Sequence, residues 1–257
     1  MEKIQLKPFV KWAGGKGQLL RNLQPAYPQG LGKTITKYAE PFVGGGAVLL
    51  DILSTVPLKA VYISDTNAEL IHTYRTIRNS VDLLIDALSG MQKDYLSANE
   101  QSRKNYYYQK RDRFNALKAD AAQPGDTATE KAALFVFLNK VCFNGLYRVN
   151  SKGFFNVPMG AYKSPCICDA ENLKNVSAAL KNVSIVCADY RESADFIDHT
   201  TFVYFDPPYR PLTQTASFTS YTESIFDDNA QIALAEYVKQ LDKKGAKVVV
   251  SNSDGKL

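Results

Sequence analysis

The spacing of apolar residues changes twice along this chain of 257 residues. At 33–40 (KTITKYAE) it predicts a short strand, ended by Pro41 and the glycines of FVGGGAVLL. Residues 47–54 predict a helix and 60–64 (AVYIS) a second strand that ends at Asp65. A helix over 67–78 then carries Ile71, Tyr74 and Ile77 on one face. This βαβα order belongs to a parallel sheet with helical crossovers. The pattern breaks at Ser80. Helical signals dominate to Asn139, with a loop at AAQPGDTAT and a strongly apolar helix at KAALFVFLNK. CFNGLYRVNSKGFFNVP follows, two aromatic or β-branched stretches around 150–153, which predicts a β-hairpin. Alternation then returns: a helix near 170–181, strands at VSIVCAD and TFVYFD, a helix over 227–241 and a strand at AKVVVSNS. The fold class is therefore α/β, its sheet interrupted by a mainly helical insertion of about a hundred residues, longer than any ordinary loop. The expected organisation is a first part of the sheet domain at 1–79, the insertion at 80–169 and the second part at 170–257.

Charge sharpens that division. The chain carries +5, but 103–163 holds eleven Lys and Arg against four Asp and Glu, leaving −2 for the rest. A basic middle in a slightly acidic frame points to a polyanion partner for the insertion. No run approaches the roughly 18 apolar residues of a membrane span. The first residues, MEKIQLKPFVKW, lack a signal peptide's apolar core, so a cytoplasmic protein is expected. Cys142, Cys166, Cys168 and Cys187 form no C-x-x-C pair, and His72 and His199 lie far from them. Reduced, mostly buried thiols are expected rather than a zinc site.

Four predicted strands end in residues suited to a ligand: the glycines after Phe42, Asp65, Asp189 and Asp206. Ligands of open parallel sheets bind beyond the carboxyl ends of the strands. The glycines do not form a dinucleotide fingerprint, because Leu49 stands where the third glycine belongs. Nor is there a phosphate loop: Tyr27 replaces the first glycine before GKT, and Gly17 follows the lysine of AGGK. Asp65 is placed to hold a ribose hydroxyl or to cap the next helix. Glycine turn, acid and Asp206-Pro207-Pro208-Tyr209 together favour a nucleoside cofactor without a pyrophosphate site, such as S-adenosylmethionine. Two consecutive prolines remove two N–H donors beside a carboxylate, so a ligand there must bring donors, and Tyr209 suits something flat.

Five segments in order make a specific pattern: KWAGGK (11–16), EPFVGGG (40–46), FNGLYRVN (143–150), FNVPMGAYK (155–163) and FDPPY (205–209). Across nearly its whole length the chain resembles the α group of DNA adenine-N6 methyltransferases, the Dam-like enzymes and their restriction-system relatives. The resemblance implies a Rossmann-like S-adenosylmethionine-dependent methyltransferase sheet carrying an inserted target-recognition domain. It implies S-adenosylmethionine as cofactor, S-adenosylhomocysteine as product and no metal. The partner is double-stranded DNA, and a cognate restriction endonuclease acting separately is compatible with it. The setting is the bacterial nucleoid or a phage-encoded equivalent.

By the same resemblance, Trp12, Lys16, Phe42, Gly44, Asp65, Asp189, Tyr190 and Asp206 contact the cofactor. Asp206, Pro207 and Tyr209 handle an adenine turned out of the duplex, because its amino group cannot be reached within the stack. Accepting both N–H protons at Asp206 and the Pro207 carbonyl would free the nitrogen lone pair for the methyl group. Lys11, Phe143, Asn144, Leu146, Arg148, Pro158 and Tyr162 match DNA-contacting positions, with Arg148 suited to a guanine edge and an aromatic suited to wedging into the stack. GATC is the expected target. Cytosine-N4 methylation, or DNA binding without catalysis, are the alternative readings. Two departures stand out: Ala161 replaces a basic residue common in relatives, and the chain ends at Leu257, so the family's last strands are expected to be missing.

Overall fold

The computed structural model describes residues 5–119, 126–209 and 226–252. Five strands form one parallel sheet: β1 Lys37–Glu40, β2 Ala60–Asp65, β3 Val183–Cys187, β4 Thr201–Phe205 and β5 Lys247–Val250. Their order is β3-β2-β1-β4-β5. The chain moves outward from β1 through β2 to β3, then returns to the other side of β1 with β4. The order therefore reverses between β1 and β4, and the crevice outside such a reversal is where ligands of this architecture bind. Register places Ala39 beside both Tyr62 and Val203, so Glu40, Asp65 and Asp206 leave the same edge of the sheet.

Eight α-helices are described: α1 Leu20–Leu23, α2 Ala47–Thr55, α3 Ala68–Asn79, α4 Val81–Ser97, α5 Glu100–Ala119, α6 Asp126–Val141, α7 Ala170–Leu180 and α8 Asp228–Lys243. The chain forms two compact units. One contains Lys16–Asn67 and the described residues from Asn182 onward, hence the whole sheet with α1, α2 and α8. The other contains the described residues before Lys16 together with Ala68–Lys181.

In the sheet unit, successive residues serve opposite faces. Ala39, Val203 and Phe205 join Leu234, Tyr237 and Leu241 of α8 in one core. On the opposite face Phe202 packs with Tyr38 and Tyr27, with ring centroids 5.5 and 5.6 Å apart. In the helical unit, α6 is apolar on every side over 132–138 because it is the central helix, packed against α3, α4 and α5. Ala132, Ala133, Leu134, Phe135, Val136, Phe137 and Leu138 are consecutive and all buried.

Several expectations shift. β1 begins at Lys37 rather than Lys33, because Gly32 takes φ 80° and its N–H bonds to the Ile35 carbonyl at 2.8 Å, making 32–35 a turn. Helix α6 already includes 126–129, the end of the expected AAQPGDTAT loop, whose earlier residues lie outside the described ones. The hairpin is reduced to single antiparallel bridges, Val149 with Phe155 and Cys142 with Met159. A 3-10 turn at Phe143–Gly145, with positive φ at Asn144 and Gly145, interrupts any longer ladder. All four cysteines are free thiols, but only Cys142 is buried; Cys166 and Cys187 are exposed, correcting the expectation of mostly buried thiols. Cys166 and Cys187 lie where the chain leaves regular packing, in a loop and at a strand end.

Candidate active site and nucleic-acid interface

The sheet unit builds its site from strand ends. After β1, the glycine loop turns at Gly44 (φ 47°) and Gly46 (φ 70°), the latter capping α2. These left-handed conformations strain any residue with a Cβ. The loop is tied to β2: Val43 N–H donates to the Ser64 carbonyl at 3.0 Å, and Gly44 N–H to Asp65 Oδ2 at 3.0 Å. Asp65 Oδ1 accepts the Asn67 N–H at 2.9 Å. Burial pushes the Asp65 carboxyl upward, against the N–H groups of Asn67, Gly44 and Thr66 that favour its charge. Asp65 thus braces the glycine loop and caps the turn at 65–67, its carboxylate accepting from three backbone N–H groups.

Phe42 and Tyr190 are brought together, their rings stacked 5.4 Å apart at 28°. Tyr190 is a core residue, 4% exposed, between Phe205 and Tyr237. Asp189 is exposed, caps the turn Tyr190–Asp195 through the Arg191 N–H at 3.1 Å, and pairs with Arg191 Nε at 3.1 Å.

Lys16, Asp206 and Tyr209 form the charged centre. Lys16 sits on the 3-10 turn Lys16–Gln18, packed near α2, and is 5% exposed. Its Nζ lies 2.6 Å from the Asp206 carboxylate. The Tyr209 hydroxyl donates to Asp206 Oδ1 at 3.1 Å, and Lys16 Nζ is 4.9 Å from the Tyr209 ring centre. Burial opposes the Lys16 charge, but hydrogen bonds and charge from Asp206 and Tyr209 outweigh it and raise the ammonium above its ordinary range. Asp206 follows β4 directly, and that edge is fixed on its other side: Ser251 N–H donates to the Phe205 carbonyl at 2.8 Å, and Ser251 Oγ meets the Tyr204 hydroxyl at 2.6 Å.

Glu40, at the end of β1, was not a sequence candidate. It is 2% exposed and accepts the Tyr38 hydroxyl at 2.6 Å. Burial pushes its carboxyl up to about 8; the Asp206 charge adds to that, while Tyr38, the Leu49 N–H and Lys16 pull the other way. The residue is therefore largely a neutral acid at pH 7. Its sequence signal was an acid closing a strand, after Tyr38 and Ala39 and directly before a proline.

The helical unit holds the expected DNA-contacting residues, all but Lys11 on the segment after α6. Phe143 and Leu146 are exposed at 52% and 37%, with no core to fill. Gly145 is indispensable, since a Cβ there would lie 2.5 Å from Lys11 Cβ at φ 64°. Asn139, buried in apolar α6, receives the Lys11 N–H at 2.8 Å and donates to the Lys11 and Gly145 carbonyls at 2.8 and 2.9 Å. Lys11 Nζ rests 3.7 Å from the Tyr162 ring centre. Pro158 accepts the Phe143 N–H at 2.9 Å. Arg148 Nε donates to Asn156 Oδ1 at 2.8 Å. Trp12 stacks on Tyr147 at 6.0 Å and 23°. Asn139, Tyr147 and Asn156 escaped sequence reasoning; only Asn139 left a signal, as a lone amide in KAALFVFLNK.

The charged centre lies at the reversal of an open parallel sheet, beside a glycine loop braced by an acid, which is where ligands of such sheets bind. The family described as D12 class N6 adenine-specific DNA methyltransferase matches residues 12–257, and the chain belongs to it. It is 51% identical over 251 residues to the Type II methyltransferase M.MjaIII of Methanocaldococcus jannaschii, covering 97% of this chain and 85% of the relative. It is 40% identical to the Type II methyltransferase M1.LlaDCHI of Lactococcus lactis, over 99% of this chain and 84% of the relative. It is 34% identical to the DNA adenine methylase of Escherichia coli K12, over 96% and 81%. The protein is thus an adenine-specific DNA methyltransferase, and the cytosine-N4 alternative is set aside. None of the described helices is long and apolar enough to cross a membrane.

Proposed function

We propose that the protein methylates the N6 amino group of an adenine turned out of double-stranded DNA, within GATC, using S-adenosylmethionine. The observation that carries this reading is the Asp206 carboxylate at the sheet reversal, 2.6 Å from buried Lys16 and 3.1 Å from the Tyr209 hydroxyl. The cofactor, when bound, supplies an electrophilic methyl group on a sulfonium. The residues suit it: a glycine turn for close backbone approach, the remaining acceptor capacity of Asp65 for a ribose hydroxyl, and the Lys16 ammonium for a carboxylate. Phe42, Gly44, Asp189 and Tyr190 complete that side, with Trp12 as the aromatic contact of KWAGGK. Tyr190 acts there by holding the Phe42 ring, being itself buried.

Asp206 and the Pro207 carbonyl then accept the two N–H protons of the base, drawing the amino nitrogen from planarity so that its lone pair points outward. Tyr209 stacks on the ring. Aligning the two partners supplies most of the rate, since the methyl donor is intrinsically reactive. For Asp206 to accept from the base, Lys16 must share or release it. Residues 80–169 serve as target-recognition domain, with Lys11, Asn144, Arg148 and Tyr162 at polar groups of the duplex and Phe143, Leu146 and Pro158 at the gap left by the base. The protein works in the cytoplasm, alone or beside a separately acting restriction endonuclease. The names of the Type II relatives favour the latter.

Digestion of DNA from cells expressing the protein tests the target. Cleavage at GATC by a nuclease blocked by adenine methylation should disappear, while a nuclease that requires the methylated site should cut. Methylation that appears only at another sequence overturns the GATC assignment.

A further inference from the structure

Trp12, the only tryptophan of the chain, is held by an aromatic side chain that lies inside the FNGLYRVN segment. Tyr147 stands between Leu146 and Arg148, two residues read above as DNA contacts, yet its own ring faces away from that task. It stacks on Trp12 at 6.0 Å and 23°, and packs against Phe135 at 5.6 Å and Phe155 at 5.9 Å. Phe135 also meets Trp12, at 6.3 Å and 41°.

The far end of Tyr147 is anchored as well. Its hydroxyl donates to Glu69 Oε2 at 3.1 Å and accepts from Lys118 Nζ at 2.9 Å. Lys118 and Glu69 pair at 3.1 Å with side chains only 14% and 13% exposed, and Lys131 stands 4.0 Å from Glu69. Burial works against the Glu69 charge, but Lys118 and Lys131 keep its carboxyl below the ordinary range, so the anchor is ionic at neutral pH. A buried ion pair of this kind stabilises little compared with an apolar filling; its value lies in fixing one geometry. Here the geometry fixed is that of a phenol ring, which in turn orients an indole.

We propose that Tyr147 is a positioning residue that links target reading to the cofactor contact: from within the FNGLYRVN segment it orients Trp12, and Glu69 with Lys118 locks it from α3 and α5. This rests on the reading of Trp12 as a cofactor contact and of the segment as a DNA reader. A duplex that shifts Leu146 and Arg148 must move Tyr147 between them, and Trp12 with it. Binding free energies so linked act in both directions.

The single tryptophan gives a direct readout. Cofactor-free protein titrated with a GATC duplex should change its tryptophan emission, and a duplex lacking the site should change it less. Tyr147→Leu should bind the non-cognate duplex like wild type but lose that emission response. The same variant should raise the KM for S-adenosylmethionine about fivefold, the scale of one aromatic stack, with kcat within about twofold. Tyr147→Phe, which keeps the ring, should restore KM, while Glu69→Gln should blunt the emission response; these two decide the matter if Tyr147→Leu does not fold. The proposal is overturned if Tyr147→Leu keeps the full response, if its KM is unchanged, or if a methylating wild type shows no response at all. A wild type that neither binds the cofactor nor methylates DNA instead overturns the functional reading beneath it.

Discussion

The Asp206 centre and the Arg148 segment are both polar, yet they are built in opposite ways. At Asp206, the charged partners satisfy one another: Lys16 is buried, 5% exposed, and paired with the half-buried carboxylate, to which Tyr209 also donates. Around Arg148 the polar partners are neutral amides, and Phe143 and Leu146 face solvent. Chemistry needs charges held in a fixed geometry away from water, where electrostatic effects are large. Reading needs groups that can leave one neutral partner for another at small cost. Arg148 can exchange the Asn156 amide for a base edge without stranding a charge, because an amide left in partial solvent is easily hydrated.

That contrast is tested most severely at Asp206. Asp206→Ala should lower the single-turnover methylation rate by roughly 10³, within the range for a group that handles protons in the transition state. DNA discrimination in a binding assay should stay the same. Methylation near the wild-type rate would remove Asp206 from the chemistry.

Glu40 should give the next largest effect, seen in stability. Its folded carboxyl lies near 8 against an ordinary 4.5, so the folded state prefers the proton. The associated stability is whole below about pH 4.5, falls as pH rises, and is gone above about 8. Glu40→Gln keeps an acceptor for the Tyr38 hydroxyl and cannot ionise. Urea unfolding near pH 9 should find the variant more stable by on the order of a few kcal/mol, and near pH 4 about equal. Parallel pH curves for the two proteins would show that Glu40 is ionised in the fold.

Arg148→Ala sharpens the other side. If the guanidinium reads a base edge, the substitution should cost about 1–3 kcal/mol on the cognate site and relax preference at one position. If it holds a phosphate, binding would instead weaken on all sequences alike and the salt slope would fall by about one counterion. Methylation of single-base variants of the site at two salt concentrations separates these outcomes.

The sequence exposed the strand ends well, because alternation stops at residues with plain local meaning: Pro41 and the glycines, Asp65, Asp206 and its prolines. The helices α2, α3, α7 and α8 were legible for the same reason, their apolar faces repeating within a single helix. What it hid is non-local. Lys16 and Asp206 are 190 residues apart in sequence, so no window contains both. The Asn156 partner of Arg148 depends on two short bridges rather than a ladder, and the neutral state of Glu40 depends on packing. β1 was overextended because Thr34 and Ile35 favour strands, while the turn through Gly32 decides otherwise.

Asn139 carries a consequence for how the molecule breathes. One amide at the end of α6 holds the Lys11 N–H, the Lys11 carbonyl and the Gly145 carbonyl. A residue outside helix and strand, as Lys11 is, ordinarily exchanges its amide hydrogen quickly. Tied to a buried helix, the Lys11 amide is expected to open with that end of α6, so the backbone at Lys11 shares the lifetime of the interior.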